Sequence, residues 1–402
     1  MRKIISVFAA FALLFGNAVM AFAEEGNVPQ GNITLNVYNW GQYIADGSDG
    51  SLDIIAAFEE KYPNIHVNYS TFDSNEIMYT KLASGGITVD LIIPSDYMIA
   101  RMIEENMLLE LNFDNIPNYK YIDESFKGMP HDPEDKFSVP YTWGTVGIIY
   151  NTKYVDEEDL VGWELLWNEK YADKILMFDN SRDAFGIASY LLGYDVNTTD
   201  EEELRACADK LAEQEPLVQQ YVMDQIYDLM ENEEAWIAPY YVGDYMTMAE
   251  NNEDLDFYLP ENQGFNLFVD AMCIPNCAEE KEAAELFINF LCEPEIAAAN
   301  MDWVGYSVPL SAAKEFMDPE LVEDPILYPS EEVQSHGTAY ANLDPSVTRF
   351  VEGLFLEVRI QNAADDSLQM LMYWGGIVIV LAGAVWACMY AVREIKKKHI
   401  SN

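Results

Sequence analysis

The chain has 402 residues, half of them apolar, with 69 Asp and Glu against 22 Lys and Arg, for a formal net charge of −47. That length allows two domains and a sizeable core, and the apolar share excludes a disordered polyelectrolyte. The acidity excludes a nucleic-acid binder, which needs a basic face to displace counterions, and leaves a cationic ligand open.

Residues 1–23 read as a signal peptide. Arg2 and Lys3 precede an apolar stretch from Ile4 to Met20, and Ala21-Phe22-Ala23 supplies a small-x-small cleavage site. No cysteine lies nearby to take a lipid. Ile33 to Tyr38 then alternates with period two, as a half-buried strand does. A Gly/Asp/Ser loop (Asp46 to Ser51) follows, then a helix from about Leu52 to Tyr62 ended by Pro63. A strand over His66 to Ser70, a helix over Ser74 to Ala83, a break at Gly85-Gly86 and a buried strand at Asp90 to Pro94 come next. Strands alternating with helices predict an α/β fold with parallel pairing.

Tyr119 to Lys136, polar and carrying Pro130 and Pro133, reads as loop. Ser138 to Asn151, apolar with Gly144 and Gly147, is placed to carry the chain into a second lobe. Strands are expected at Lys174 to Phe178, Trp236 to Tyr241 and Phe265 to Ile274, and helices at Asp183 to Leu192 and Glu201 to Leu211. Ala284, Phe287, Ile288 and Leu291 have helical spacing, and a last globular helix starts at Asp344-Pro345. After a polar linker (362–370), Leu371 to Val392 gives 22 residues without a charge, long enough to cross a bilayer as a helix. Tyr373, Trp374, Trp386 and Tyr390 suit its two interfaces, and the basic cluster Arg393 to Lys398 should stay cytoplasmic. Residues 24–370 are therefore expected outside the cell membrane, with a short cytoplasmic tail over 393–402. Without the leader and the tail, 16 bases face 68 acids.

Catalytic chemistry finds little support. The four histidines (His66, His131, His336, His399) sit in no metal-ligand or nucleophile motif. The run His131-Asp132-Pro133-Glu134-Asp135 lacks calcium-loop spacing and reads as a solvated loop. Cys207, Cys273, Cys277 and Cys292 read as buried free thiols, although export permits a disulfide. No cofactor or metal is expected.

Five segments set aromatic residues beside carboxylates or amides at predicted strand ends. They are Tyr38 to Tyr43, Pro94-Ser95-Asp96-Tyr97, Phe178 to Phe185, Tyr240 to Tyr245 and Phe268-Val269-Asp270. Ligands of open α/β sheets bind beyond the carboxyl ends of strands, where ring faces attract a cation and carboxylates accept its N–H groups. An amine-binding cleft is the expectation.

At these residues the chain resembles the spermidine/putrescine-binding proteins of bacterial ABC importers, over about Ile33 to Tyr340. The resemblance rests on Tyr38-Asn39-Trp40 with Tyr43, Ser74 to Leu82, Pro94 to Tyr97, Val139 to Gly144, Gly162 to Trp167, Asn289-Phe290-Leu291 and Gly305-Tyr306. It implies a type II periplasmic-binding-protein fold, with two α/β lobes joined by a multi-strand hinge and the C-terminal transmembrane helix as an addition. Lobe one would comprise 33–144 and 270–316, and lobe two 145–269 and 317–361. Ligand contacts would fall to Trp40, Gln42, Tyr43, Ser95 and Tyr97 in lobe one, with Asn180, Asp183, Tyr241, Phe268, Asp270 and Tyr306. Asp96 and Asp244 are additional acids. Gln42 and Asn180 stand where some members have Glu and Asp, which removes two charges from the site. The implied role is capture of putrescine or spermidine and delivery to a permease and its ATPase, by a membrane-anchored chain expected to be a monomer. An anchored sensor for another small cation fits the same residues; an extracellular hydrolase is disfavoured by the missing nucleophile motif.

Overall fold

The computed structural model describes residues 29–360. The leader and the segments read as linker, membrane span and tail (362–402) lie outside the described residues. Among the described residues no helix is long and apolar enough to cross a membrane.

The first half follows the expected alternation. Strand β1 (Ile33–Trp40), helix α1 (Ile54–Lys61), strand β2 (Ile65–Phe72), helix α2 (Asn75–Ala83) and the short strand β3 (Leu91–Ile92) succeed one another. Asp53 accepts from the Ala56 amide and Ser74 from the Ile77 amide, so both early helices start on side-chain caps. Helix α3 (Asp96–Glu104) follows β3 directly, an element that the periodicity did not reveal. Short 3₁₀ turns then occupy the polar stretch up to strand β4 (Ser138–Asn151), which is buried along its whole length.

The second half runs through strand β5 (Ile175–Phe178), helix α4 (Ser181–Leu192), helix α5 (Glu201–Gln214), strand β6 (Val218–Val222), helix α6 (Ile226–Glu231), strand β7 (Ile237–Tyr241), helix α7 (Val242–Asn251) and strand β8 (Leu255–Tyr258). Strand β9 (Phe265–Cys273) returns the chain to the first half, where helices α8 (Lys281–Leu291) and α9 (Pro294–Val304) pack. Two single turns, α10 (Pro319–Val322) and α11 (Glu331–Gln334), strand β10 (Gly337–Thr338) and helix α12 (345–360) complete it. The last begins where Asp344-Pro345 predicts.

Strand order is β2-β1-β3-β9-β4-β7-β5-β6, with β8 on β4 and β10 on β9. Parallel pairs β1–β2, β1–β3, β5–β6 and β5–β7 flank a centre in which β9 and β4 run antiparallel. Strand β4 changes partner midway: Ser138 to Thr145 pair with β9, and Val146 to Asn151 pair with β7 and β8. One extended strand thus belongs to both halves of the sheet. A strand that is covered on every side reads as a continuous apolar run, which explains Ser138 to Asn151. The main core runs through both halves and includes Phe58, Phe287, Trp163 and Phe178, all fully buried. Each such side chain contributes about 1.5–3 kcal/mol. A smaller cluster between α2, α3 and the sheet (Met78, Met98, Ile99, Met102) fixes the helix that carries Asp96.

The loop reading of His131 to Asp135 needs correction. Asp132 is buried and accepts from the amides of Lys136, Phe137 and Ser138 and from the Ser138 hydroxyl. Its neighbour His131 is buried too, and burial depresses its pKa to about 4. The four cysteines among the described residues are free thiols; Cys207, Cys273 and Cys292 are buried, but Cys277 is exposed, against expectation.

Candidate functional site

Helix starts from both halves aim at one cavity. In the first half, Ser95 and Asp96 open α3 just after β3, and the Ala271 amide donates to the Pro94 carbonyl (3.1 Å). This contact and a Ser95–Asp270 bridge set Asp96 beside Asp270 of β9. In the second half, Asn180 caps α4 after β5 and Asp183 lies in its first turn. Tyr241 ends β7, and Asp244 lies in the first turn of α7. Asp96, Asp183 and Asp244 thus stand in the first turns of helices that follow parallel strands, as the sheet rule requires, and Asp270 joins them from the antiparallel strand β9.

The cavity encloses about 680 Å³ of non-atom space, part of it open to solvent. Such a size suits a small organic ligand. Trp40, Tyr43, Tyr97, Tyr241, Phe268 and Tyr306 line it, with Ser95, Asp96, Asn180, Asp183, Asp244 and Asp270. The rings form one wall: Tyr43 to Tyr306 is 5.3 Å between centroids, Tyr241 to Phe268 is 5.5 Å, and Phe268 to Tyr306 is 6.1 Å. No lysine, arginine or histidine is among the lining residues.

The acids are unequally satisfied. Asp270 Oδ2 accepts from the Tyr43 hydroxyl (2.7 Å), which also meets Thr142 Oγ1 (2.6 Å). Asp96 Oδ1 accepts from the Tyr97 amide (2.7 Å). The other oxygens, Asp270 Oδ1 and Asp96 Oδ2, are buried without a hydrogen bond of good geometry, although the Ser95 hydroxyl favours the Asp270 anion and the Val269 amide that of Asp96. Asp183 Oδ2 accepts from the Asn180 amide (2.7 Å) and the Tyr241 hydroxyl (2.8 Å). Asp244 accepts from Tyr227 at Oδ1 (2.5 Å) and from Tyr306 at Oδ2. Burial is the largest influence on each and favours the neutral acid, pushing Asp96 up to about 8, Asp183 to about 7, and Asp244 and Asp270 to about 6. Arg182 counteracts weakly at Asp96 and Asp183, its guanidinium being turned to the Val196 carbonyl and Asn197. Buried carboxylate oxygens short of donors, walled by rings, favour a positively charged group.

Of the thirteen residues expected in the site, the structure brings twelve to the cavity. Gln42 is the departure: it is exposed, with φ of 49° in the turn after β1, and does not line the cavity. Asn75, Asp73, Asp224, Tyr240, Asn266 and Tyr340 line the cavity without having been singled out. Asn75 had a readable signal, since it opens α2 in the run Ser74-Asn75-Glu76; its side chain bonds Ser95 and the Tyr97 hydroxyl (both 3.1 Å). Asp224 and Tyr340 had none, because β6 and β10 beside them were not predicted.

A sheet of two halves sharing β4, with a ring-lined acidic cavity at its carboxyl edge, defines a solute-binding protein of the type II periplasmic-binding-protein fold. The chain belongs to the bacterial extracellular solute-binding proteins, whose family profile matches residues 53–329. It is similar to the spermidine/putrescine-binding periplasmic protein of Escherichia coli, 32% identical over 82% of this chain and 90% of that one. Among solved structures it is similar to a putative spermidine/putrescine ABC transporter protein from Listeria monocytogenes (38% identity, TM-score 0.77), with 82% of this chain and 99% of that one covered. A spermidine/putrescine ABC transporter substrate-binding protein from Streptococcus pneumoniae is also similar (37% identity, TM-score 0.69, 81% and 98% covered). The resemblance carried by the sequence motifs is thereby borne out.

Proposed function

We propose that this chain captures a polyamine between its two halves and hands it to an ABC permease and its ATPase at the outer face of the cell membrane. The observation that carries this reading is the pair of buried oxygens without a hydrogen bond of good geometry, Asp96 Oδ2 and Asp270 Oδ1, in a cavity lined by rings and by no basic side chain. A protonated amine supplies the missing donors and the missing charge together. Leaving either carboxylate ionised and unpaired in a buried site would cost several kcal/mol. The rings cover the methylenes between the amines and exclude water. The names of the similar proteins support the same ligand class.

On this reading lobe one is 33–144 with 270–316, lobe two is 145–269 with 317–361, and β4 and β9 run between them. Contacts from both lobes to one ligand favour the closed arrangement. The apolar run 371–392 would anchor the chain beside its transporter and raise its effective concentration there. The test is calorimetric titration of the full-length chain in detergent with putrescine, cadaverine, spermidine and spermine. Saturable heat with at least one of them is expected; no heat with any of the four overturns the proposal.

A further inference from the structure

We infer that the cleft provides stations for two ammonium groups and not for three, so that it selects a diamine over a triamine; this rests on the polyamine reading and deepens it. Of the six carboxylates that line the cavity four are not exposed, and counting those four as cation partners would favour the longer amine. Their hydrogen bonds divide them differently.

Asp96 and Asp270 form one station. They are held side by side through the Ser95–Asp270 bridge, each is at least nine-tenths buried, and each keeps one oxygen without a hydrogen bond of good geometry. Asp183, at the start of α4 in the other half, forms the second: Asn180 and Tyr241 both donate to its Oδ2 and neither to its Oδ1. Asn180 beside it adds no third, because its amide nitrogen donates to Asp183 and so presents the same polarity as an ammonium.

Asp244 is different in kind. Tyr227 donates to one of its oxygens and Tyr306 to the other, so neither oxygen lacks a donor. The Tyr306 ring also lies over Gly243, where an added Cβ would fall 2.2 Å from two ring atoms, so the ring covers this end of α7 closely. With its donors already in place, Asp244 does not need a cation. Gln42, the remaining position from which a polar group was expected, is exposed outside the cavity. Asp73 and Asp224 line the mouth, but both are exposed, and solvated carboxylates attract every amine weakly without setting a count. A third buried ammonium would therefore lack a partner.

The experiment is titration calorimetry of the full-length chain with putrescine, cadaverine and spermidine, in the wild type and in Tyr227→Phe/Tyr306→Phe, which strips both donors from Asp244. In the wild type the better diamine should bind at least about tenfold more tightly than spermidine. In the double variant spermidine should gain on that diamine by about tenfold, as Asp244 becomes a third partner. Spermidine binding as tightly as either diamine in the wild type overturns the inference while leaving the polyamine reading intact, and it does so even if the double variant fails to fold. An unchanged ratio in a folded double variant overturns the role given to Asp244. Absence of any amine binding would sink both readings.

Discussion

The Tyr306 hydroxyl, just past the end of α9, donates to Asp244 Oδ2 in the first turn of α7, and so ties the segment after α9 to the β5–β7 half across the cavity. The tie depends on Gly243. Its missing Cβ lets the Tyr306 ring lie against the α7 backbone, and the same residue caps no helix and needs no left-handed backbone. Gly243→Ala should therefore act by collision alone. Overpacking of this kind costs about 1–3 kcal/mol. We expect a lower melting temperature and weaker amine binding together, since the ring is also part of the cavity wall; thermal shift and titration calorimetry on one preparation check both.

Asp270→Asn should separate binding from stability. The variant replaces a carboxylate oxygen without a hydrogen bond of good geometry by an amide, whose NH₂ cannot accept from an ammonium. Removing one partner of a buried charge pair costs about 3–5 kcal/mol, which corresponds to a loss of amine affinity of at least about 100-fold. The ligand-free protein should not be destabilised at about pH 8, because burial opposes ionisation of Asp270 in the empty cavity. Loss of binding with parallel loss of stability would instead make Asp270 a structural residue.

Amine binding should release protons. Asp96 and Asp183 are pushed up to about 8 and about 7 in the empty cavity, chiefly by burial, and a bound cation favours their ionised forms. Both are raised above the unfolded value, so the folded empty protein holds more protons than the unfolded chain near neutral pH. Its stability must then fall as pH rises through these pKa values, by about 1.4 kcal/mol per pH unit for each proton held. Between about pH 5 and 8 the melting temperature of the empty protein should decline and then level off, and a saturating amine should flatten that slope. Calorimetry at neutral pH in two buffers of different ionisation enthalpy reads the released protons directly. Equal heats in both buffers would show that the acids are already ionised before the ligand arrives.

How much of this was legible in the sequence varies with burial. Strand β1, helix α2 and strand β4 were readable because period-two alternation, a Ser cap and a long apolar run each have one simple cause. The acids at the strand ends were readable for the same reason, since strand-to-helix junctions bring them to the sheet edge. Helices α3, α6 and α7 were not. Helix α3 starts immediately after a strand of two residues, so the apolar run of β3 and the amphipathic run of α3 merge. The hydrogen bonds that divide the four acids were also hidden: Tyr227 precedes Asp244 by 17 positions and Tyr306 follows it by 62, and neither spacing has a periodic signature. Asp132 looked like a solvated loop because its partners are backbone amides, which every sequence has.

Cys277 should be the reactive thiol of the described cysteines. It is exposed, whereas burial raises the thiol pKa of Cys207, Cys273 and Cys292 and so disfavours their thiolates. Brief alkylation of the native protein followed by peptide mass spectrometry should modify Cys277 and spare those three until denaturant is added. Modification of Cys273 at the same rate would mean that the centre of the sheet opens readily.

Asp132 is the residue whose removal should unfold the protein without touching the cavity. Its carboxylate sits just ahead of β4 and accepts four donors: the Lys136 amide at 3.1 Å, the Phe137 amide at 2.7 Å, and the Ser138 amide and hydroxyl, both at 3.0 Å. Those contacts set the point at which the chain enters β4, which pairs in both halves. Each buried donor left without an acceptor costs about 1–3 kcal/mol. Asp132→Ala orphans several at once, some of which water will reach, so a loss of about 3 kcal/mol or more is expected in urea unfolding. Asp132→Asn retains an acceptor oxygen and should recover part of the loss. Neither variant removes a group from the cavity, so the amine Kd of whatever remains folded should stay within about threefold of the wild type. A stable Asp132→Ala protein would contradict the carboxylate's structural role, and a folded one that no longer binds amines would place the entry of β4 in direct control of the cleft.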